Sequence, residues 1–276
     1  MPLLETITYY LVHHPIIATF DWNHTTKPCS TFPFLILTIL TYLTLTLTLS
    51  YLPIPLPPPR LLRRISTVYN LVILLLSFTM SLATTLSSFL HFPSLSHLFC
   101  FPTSTPPRGP VFFWAYVFYL SKILEFSDTF LIILSRSPTS IRRLSFLHVY
   151  HHATVPVMCY VWLSTSQSLF PVALVTNASV HTVMYSYYLL CSLGIRPSWK
   201  RLVTDCQIIQ FVFSFAVSLV MLYYHFFEFR CSGIWGWCFN AVFNASLLYL
   251  FLDFHSNNYK QKKDRLSNES DKDKVL

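Results

Sequence analysis

The chain has 276 residues, of which 53% are hydrophobic and only 11% charged, with 25 Phe, 16 Tyr and 4 Gly. That composition excludes an ordinary soluble domain and argues for a lipid solvent. The net charge of +8 would suggest nucleic acid in a soluble chain, but its placement between apolar stretches gives it another meaning, and no nucleic-acid partner is expected.

In chain order, residues 1–30 read as a short segment ahead of the first span, with no basic n-region and small-residue cleavage site to mark a removed signal peptide. Asn23-His24-Thr25 is a sequon in that segment, so Asn23 is the expected glycan acceptor; the sequons at Asn177 and Asn244 fall in apolar stretches and that at Asn268 in the polar tail. Seven apolar stretches follow, near 31–52, 66–90, 111–134, 147–163, 169–190, 203–224 and 234–253. Each is close to the roughly 17–25 residues a spanning helix requires. The first contains alternating Leu and Thr, a strand-like period of two. A lone strand cannot satisfy its backbone in lipid, so a helix is expected. The proline-rich run 52–59 ends that stretch in a rigid extended turn. The expected fold is therefore all-α, a polytopic membrane protein of seven transmembrane helices enclosing a substrate tunnel. It forms one domain over 1–276, with a luminal segment 1–30 and a cytosolic tail 256–276 that is disordered beyond Tyr259.

The basic residues set the orientation. Arg60, Arg63, Arg64, Arg136, Arg142, Arg143, Arg196, Lys200, Arg201 and six tail residues fall on one predicted side. Only Lys27, Arg108 and Arg230 fall on the other, which puts the N-terminus in the lumen and the C-terminus in the cytosol. The seven cysteines form no zinc-like CxxC cluster. Cys100 and Cys231 lie in predicted luminal loops and are available for a disulfide, while Cys29 and Cys238 leave other pairings open.

Titratable residues inside apolar stretches are costly unless they face one another or a polar cavity, so they mark the candidate site. Lys122, Glu125, Asp128 and Thr129 share a helical stripe. They serve either as an internal ion-pair ladder or as substrate contacts. His148, His151 and His152, at offsets of zero, three and four, gather on one face; imidazoles can serve as acid, base or nucleophile. Asn177, His181, Tyr185 and Tyr188 line a face of the fifth stretch, beside Tyr187. Thr204, Gln207 and Gln210 form a third polar face, for which interhelical hydrogen bonding is the simpler role.

With its Lys122-Ile-Leu-Glu125-Phe-Ser-Asp128-Thr129, His148-Val-Tyr-His151-His152, His181-Thr-Val-Met184-Tyr185-Ser-Tyr187-Tyr188 and Thr204-Asp-Cys-Gln207-Ile-Ile-Gln210 segments in order, the chain resembles the ELO family of very-long-chain fatty acid elongases. A plant-like member is suggested by its Ser- and Thr-rich spans. The resemblance implies condensation of a long-chain acyl-CoA with malonyl-CoA, releasing CO2 and CoA and giving a 3-ketoacyl-CoA two carbons longer. No tightly bound cofactor or metal is implied. The family mechanism suggests a histidine nucleophile, assigned by position to His151, with His148, His152 and His181 orienting it or polarising carbonyls. Lys122, Glu125, Asp128, Asn177, Tyr187, Tyr188 and Gln207 are then candidates for holding substrate or the surrounding helices. The resemblance also implies an endoplasmic-reticulum membrane setting and reductase, dehydratase and enoyl reductase partners. A homo-oligomer is left open. Lys272 and Lys274 near the C-terminus resemble a dilysine retrieval signal. The alternatives are a di-iron desaturase or hydroxylase, whose families use about eight clustered histidines, and a seven-helix transporter or receptor.

Overall fold

A computed structural model describes residues 3–23, 27–53, 55–136 and 144–273, with side chains through Ser256. His24 and Thr25 of the N-terminal sequon, Arg142, Arg143 and Lys274 lie outside the described residues, as does the side chain of Lys272. Short helices α1 (Leu3–Thr8) and α2 (Pro15–Ala18) precede the long helices α3 (Phe32–Tyr51), α4 (Pro59–His91), α5 (Pro110–Leu124), α6 (Phe126–Ser135), α7 (Phe146–Thr165), α8 (Phe170–Leu193), α9 (Lys200–Tyr223) and α10 (Ile234–Asp273).

Local sequence accounts for most boundaries. Proline stands in the first turn of α3, α4, α5 and α8, where its missing N–H has no intrahelical partner to lose. Thr31 caps α3 by accepting the Phe34 N–H at 3.4 Å, and Ser145 caps α7 by accepting the His148 N–H at 3.2 Å. Gly194, at φ 94°, closes α8 in the left-handed conformation. The alternating Leu-Thr run is helical throughout α3, because lipid leaves the backbone no other way to satisfy itself.

The seven-span expectation requires correction. Among the described residues, four helical segments are long and apolar enough to cross a membrane: Phe32–Tyr51, Pro59–His91, Lys200–Glu228 and Ile234–Ser256. The apolar stretch 111–134 breaks at Glu125 into helices of 15 and 10 residues. Helices α7 and α8 have the length, but three histidines in α7 and Asn177, His181 and several hydroxyls in α8 replace apolar residues. The tail also departs from expectation, since α10 continues as helix to Asp273.

The two ends of the bundle differ in chemistry. At one end α4 begins with Arg60, Arg63 and Arg64, and the Arg63 Nε donates to the Ser192 carbonyl at the C-terminus of α8 at 2.6 Å. At the other end a disulfide joins Cys100 to Cys231. There the Phe101 N–H donates to Ser168 Oγ at 3.0 Å, Ser168 Oγ donates to the Ser232 carbonyl at 2.8 Å, and the Ser232 N–H returns to the Phe101 carbonyl at 2.9 Å. Between the ends, α4 packs most extensively on α8. Small polar residues permit the close approach, with Ser81 Oγ 2.8 Å from Ser179 Oγ. Phe101, Phe112, Phe118, Trp162 and Phe170 form a buried aromatic core toward the disulfide end.

The bridge closes a long loop, and removing such a bond costs roughly 2–5 kcal/mol. Cys100→Ser with Cys231→Ser is expected to lower the thermal unfolding midpoint of the detergent-purified protein, and reductant to lower that of the unaltered chain by a similar amount. An unchanged midpoint in both experiments contradicts a stabilising role.

Candidate active site

The break at Glu125 builds the first half of the site. Its N–H closes the last turn of α5 on the Ser121 carbonyl at 2.9 Å, and its carbonyl accepts the Asp128 N–H of α6 at 3.0 Å. Glu125 therefore stays in the bundle between two short helices. Its carboxylate accepts from Lys122 Nζ at 2.7 Å, and His181 of α8 completes the group, with Nδ1 3.3 Å from Lys122 Nζ and 3.5 Å from Glu125 Oε1. Lys122 and Glu125 are 3% and 1% exposed, so water cannot stabilise either charge and each depends on the other. The Lys122 ammonium also lies 4.4 Å from the Phe118 ring centre.

One turn further, Asp128 accepts from the hydroxyls of Tyr69 at 3.1 Å and Tyr185 at 2.5 Å. Thr129 Oγ1 lies 3.0 Å from the Tyr42 hydroxyl and 2.9 Å from His148 Nε2. Tyr42 and Tyr69 were not legible as site residues, because they stand alone in α3 and α4. Their signal was a hydroxyl within an apolar helix, which needs a partner when buried.

The histidines of α7 have different neighbours. His148 and His152 lie one turn apart, their rings tilted at 49° with centres 4.4 Å apart, and the His151 ring lies edge-on to His152 at 5.4 Å. Pro156 has no N–H to offer the His152 carbonyl four residues before it, which loosens the helix at the histidine cluster. Of the four site histidines, His151 lines a narrow cavity of about 50 Å³ between α7, α8, α9 and α10, and its Nδ1 has no hydrogen-bond partner.

Asn177 and Gln210 also line that cavity, with Asn177 Nδ2 donating to Gln210 Oε1 at 3.4 Å. Val155, Met158, Phe211 and Leu247 make its walls apolar further along. Gln207 instead donates to Met184 Sδ at 3.5 Å, and Tyr187 packs on Trp199 with ring centres 5.2 Å apart. Tyr188 stands edge-on to Tyr185. Among the described residues no group of three or more His, Cys, Asp or Glu is arranged to hold a metal ion. The arrangement thus pairs an imidazole on a narrow cavity of mixed polar and apolar lining with a fixed buried charge cluster, which suits acyl transfer to or from a chain threaded between helices.

Removing one member of a buried ion pair costs roughly 3–5 kcal/mol, whereas replacing both by apolar groups costs far less. Glu125→Gln is therefore expected to destabilise the protein more than the double variant Lys122→Met with Glu125→Leu, in thermal unfolding of the purified chains. Equal destabilisation contradicts mutual compensation.

Residues 27–267 match the family model described as ELO: GNS1/SUR4 family. The chain is 30% identical over 270 residues to "Fatty acid elongase 3-like" of Arabidopsis thaliana, covering 92% of each chain. It is 33% identical over 258 residues to "Fatty acid elongase A" of Dictyostelium discoideum, covering 89% of this chain and 90% of that one. It is also 33% identical over 247 residues to "Very long chain fatty acid elongase 2" of Mus musculus, covering 84% and 78% respectively.

Proposed function

The chain belongs to the ELO, GNS1/SUR4 family of condensing acyl-CoA elongases, and from that membership we propose that it extends long-chain acyl-CoA in two stages with His151 carrying the acyl group between them. The single observation that carries the assignment is that His151 lines the cavity and its Nδ1 has no hydrogen-bond partner.

In the first stage an imidazole nitrogen of His151 attacks the thioester carbonyl. The oxyanion collapses, the C–S bond breaks, and CoA leaves as the thiol with the proton the imidazole gives up. Malonyl-CoA then takes the vacated mouth and loses CO2, and the resulting carbanion equivalent attacks the acyl-imidazole carbonyl. The C–N bond breaks, the departing imidazole takes up a proton from water so that His151 is regenerated, and the product is a 3-ketoacyl-CoA two carbons longer. Lys122 and Glu125 fix the His181 ring through its Nδ1, which positions it to polarise a carbonyl. Thr129 holds His148, and the pair keeps His152 and His151 in register. Asn177 supplies a polar contact beside the reacting carbon, while Asp128, Tyr187, Tyr188 and Gln207 hold the helices around the mouth.

The chain acts as one integral membrane domain across residues 1–276. Its disulfide end faces the lumen and its arginine end the cytosol, as the preference of disulfides for oxidising compartments and of basic residues for the cytosol supports. Lys272 and Lys274 support retention in the endoplasmic reticulum. The 3-keto product requires reduction, dehydration and a second reduction, so a ketoacyl reductase, a dehydratase and an enoyl reductase are the expected partners.

Purified protein given labelled palmitoyl-CoA and malonyl-CoA is expected to form a 3-ketoacyl-CoA longer by two carbons. Palmitoyl-CoA alone is expected to release up to one equivalent of CoA in a burst. His151→Ala should abolish both, a loss on the order of 10³-fold or more in turnover, whereas His148→Gln should slow the burst without abolishing it. A normal burst from His151→Ala contradicts the nucleophile assignment.

A further inference from the structure

The cavity that begins at His151 does not stay apolar to its end. Beyond Val155 and Met158 it reaches Trp162, Gln167 and Asn240. These residues are 2%, 1% and 6% exposed. The Trp162 Nε1 donor and the Gln167 Oε1 and Asn240 Oδ1 acceptors are all buried without a hydrogen-bond partner. Buried polar atoms are nearly always paired, so one donor and two acceptors left over at the same end of a lipid-chain cavity point to a missing partner. Two other polar pairs on the wall are matched, Asn244 Nδ2 donating to Ser214 Oγ at 3.4 Å and Trp237 Nε1 to Ser218 Oγ at 3.0 Å, whereas Asn177 Oδ1, also on the wall, is likewise buried without a partner.

The backbone holds this end firmly. Gly233, at φ 68°, lies so close to the turn after α7 that a Cβ there would meet Gln167 Cα at 2.5 Å and the Thr165 carbonyl at 2.8 Å. A Cβ on Gly236 would meet Thr165 Oγ1 at 2.5 Å and Gln167 Cβ at 3.5 Å, and Asn240 follows one turn later in α10. The Gln167 N–H is itself tied to the Trp162 carbonyl at 3.1 Å. The backbone around Gln167 is therefore packed closely against the start of α10, four residues before Asn240.

We propose that Trp162, Gln167 and Asn240 form a hydrogen-bonding subsite for a hydroxyl group on the distal part of the acyl chain, making a hydroxylated long-chain acyl-CoA a preferred substrate. A hydroxyl suits the set because it accepts one hydrogen bond, as the indole N–H offers, and donates one, as either amide oxygen can take. Between His151 and Trp162 the helix rises about 16 Å at about 1.5 Å per residue. With C–C bonds of about 1.5 Å and angles of about 111°, a methylene chain advances about 1.25 Å per carbon, which puts the hydroxyl about a dozen or more carbons from the carbonyl. The inference rests on the elongase reading for the position of the carbonyl.

The test uses the full chain in detergent with malonyl-CoA and two acyl-CoAs of equal length, palmitoyl-CoA and its ω-hydroxy counterpart, with the hydroxyl then moved inward carbon by carbon. The ratio of kcat/KM for hydroxylated over plain substrate is expected to be about tenfold or more at its best position, and to fall to one or below in Asn240→Leu and Gln167→Leu. If the variants do not fold, the ratio in the unaltered protein decides alone. A ratio at or below one at every position overturns the subsite and leaves an ordered water as the partner of these atoms. If neither substrate is condensed, the elongase reading fails. Retention of the two labelled acyl-CoAs on the immobilised protein then decides the subsite: about tenfold tighter holding of the hydroxylated one supports it, and equal holding overturns it.

Discussion

Two opposite charges that cannot reach water hold this structure's centre together. Lys122 and Glu125, one helical turn apart at the junction of α5 and α6, pair with each other and with His181, and the Phe118 ring covers the ammonium. The cost of separating them fixes the break between the two short helices and pins α8 against it. The next polar groups along α6 follow the same rule. Asp128 takes two tyrosine hydroxyls from different helices, and Thr129 links Tyr42 to His148. With those groups satisfied, His151 is left facing the cavity with an unpaired nitrogen.

The same constraint separates two tasks along one bundle. At the arginine end the charges suit contact with a polar, phosphate-bearing group. At the disulfide end the loops around Cys100 and Cys231 are locked to each other and to the turn after α7. The cavity runs between these ends, with His151 nearer the first and Trp162, Gln167 and Asn240 nearer the second. A long acyl chain entering head-last would bring its thioester to His151 and its tail to Gln167.

Much of the site was legible in the sequence, because polar residues in apolar segments carry their own signal. The offsets in 122–129 and 148–152 place side chains on shared helical faces, and the structure finds Lys122 on Glu125 and His148 against His152. The fold was legible as all-α and membrane-bound, but not in its number of spans. An apolar run from 111 to 134 reads as one helix because periodicity does not see the interruption at Glu125, which long-range pairing with His181 stabilises. Helices α7 and α8 fall below the hydropathy of a spanning segment because they carry the polar residues of the site. Tyr42, Tyr69, Gln167 and Asn240 were not legible, since each is isolated in its own segment and gains meaning only from residues brought beside it by the fold.

The central claim is that the acyl group rests on one imidazole facing the cavity. The most direct measurement is mass spectrometry of the protein after incubation with long-chain acyl-CoA in the absence of malonyl-CoA, followed by proteolysis and fragment mapping. An acyl mass on the peptide containing His151, discharged on adding malonyl-CoA, is the predicted result. An acyl mass on another residue, or product formation through full turnovers with no acylated protein at any time, would contradict it.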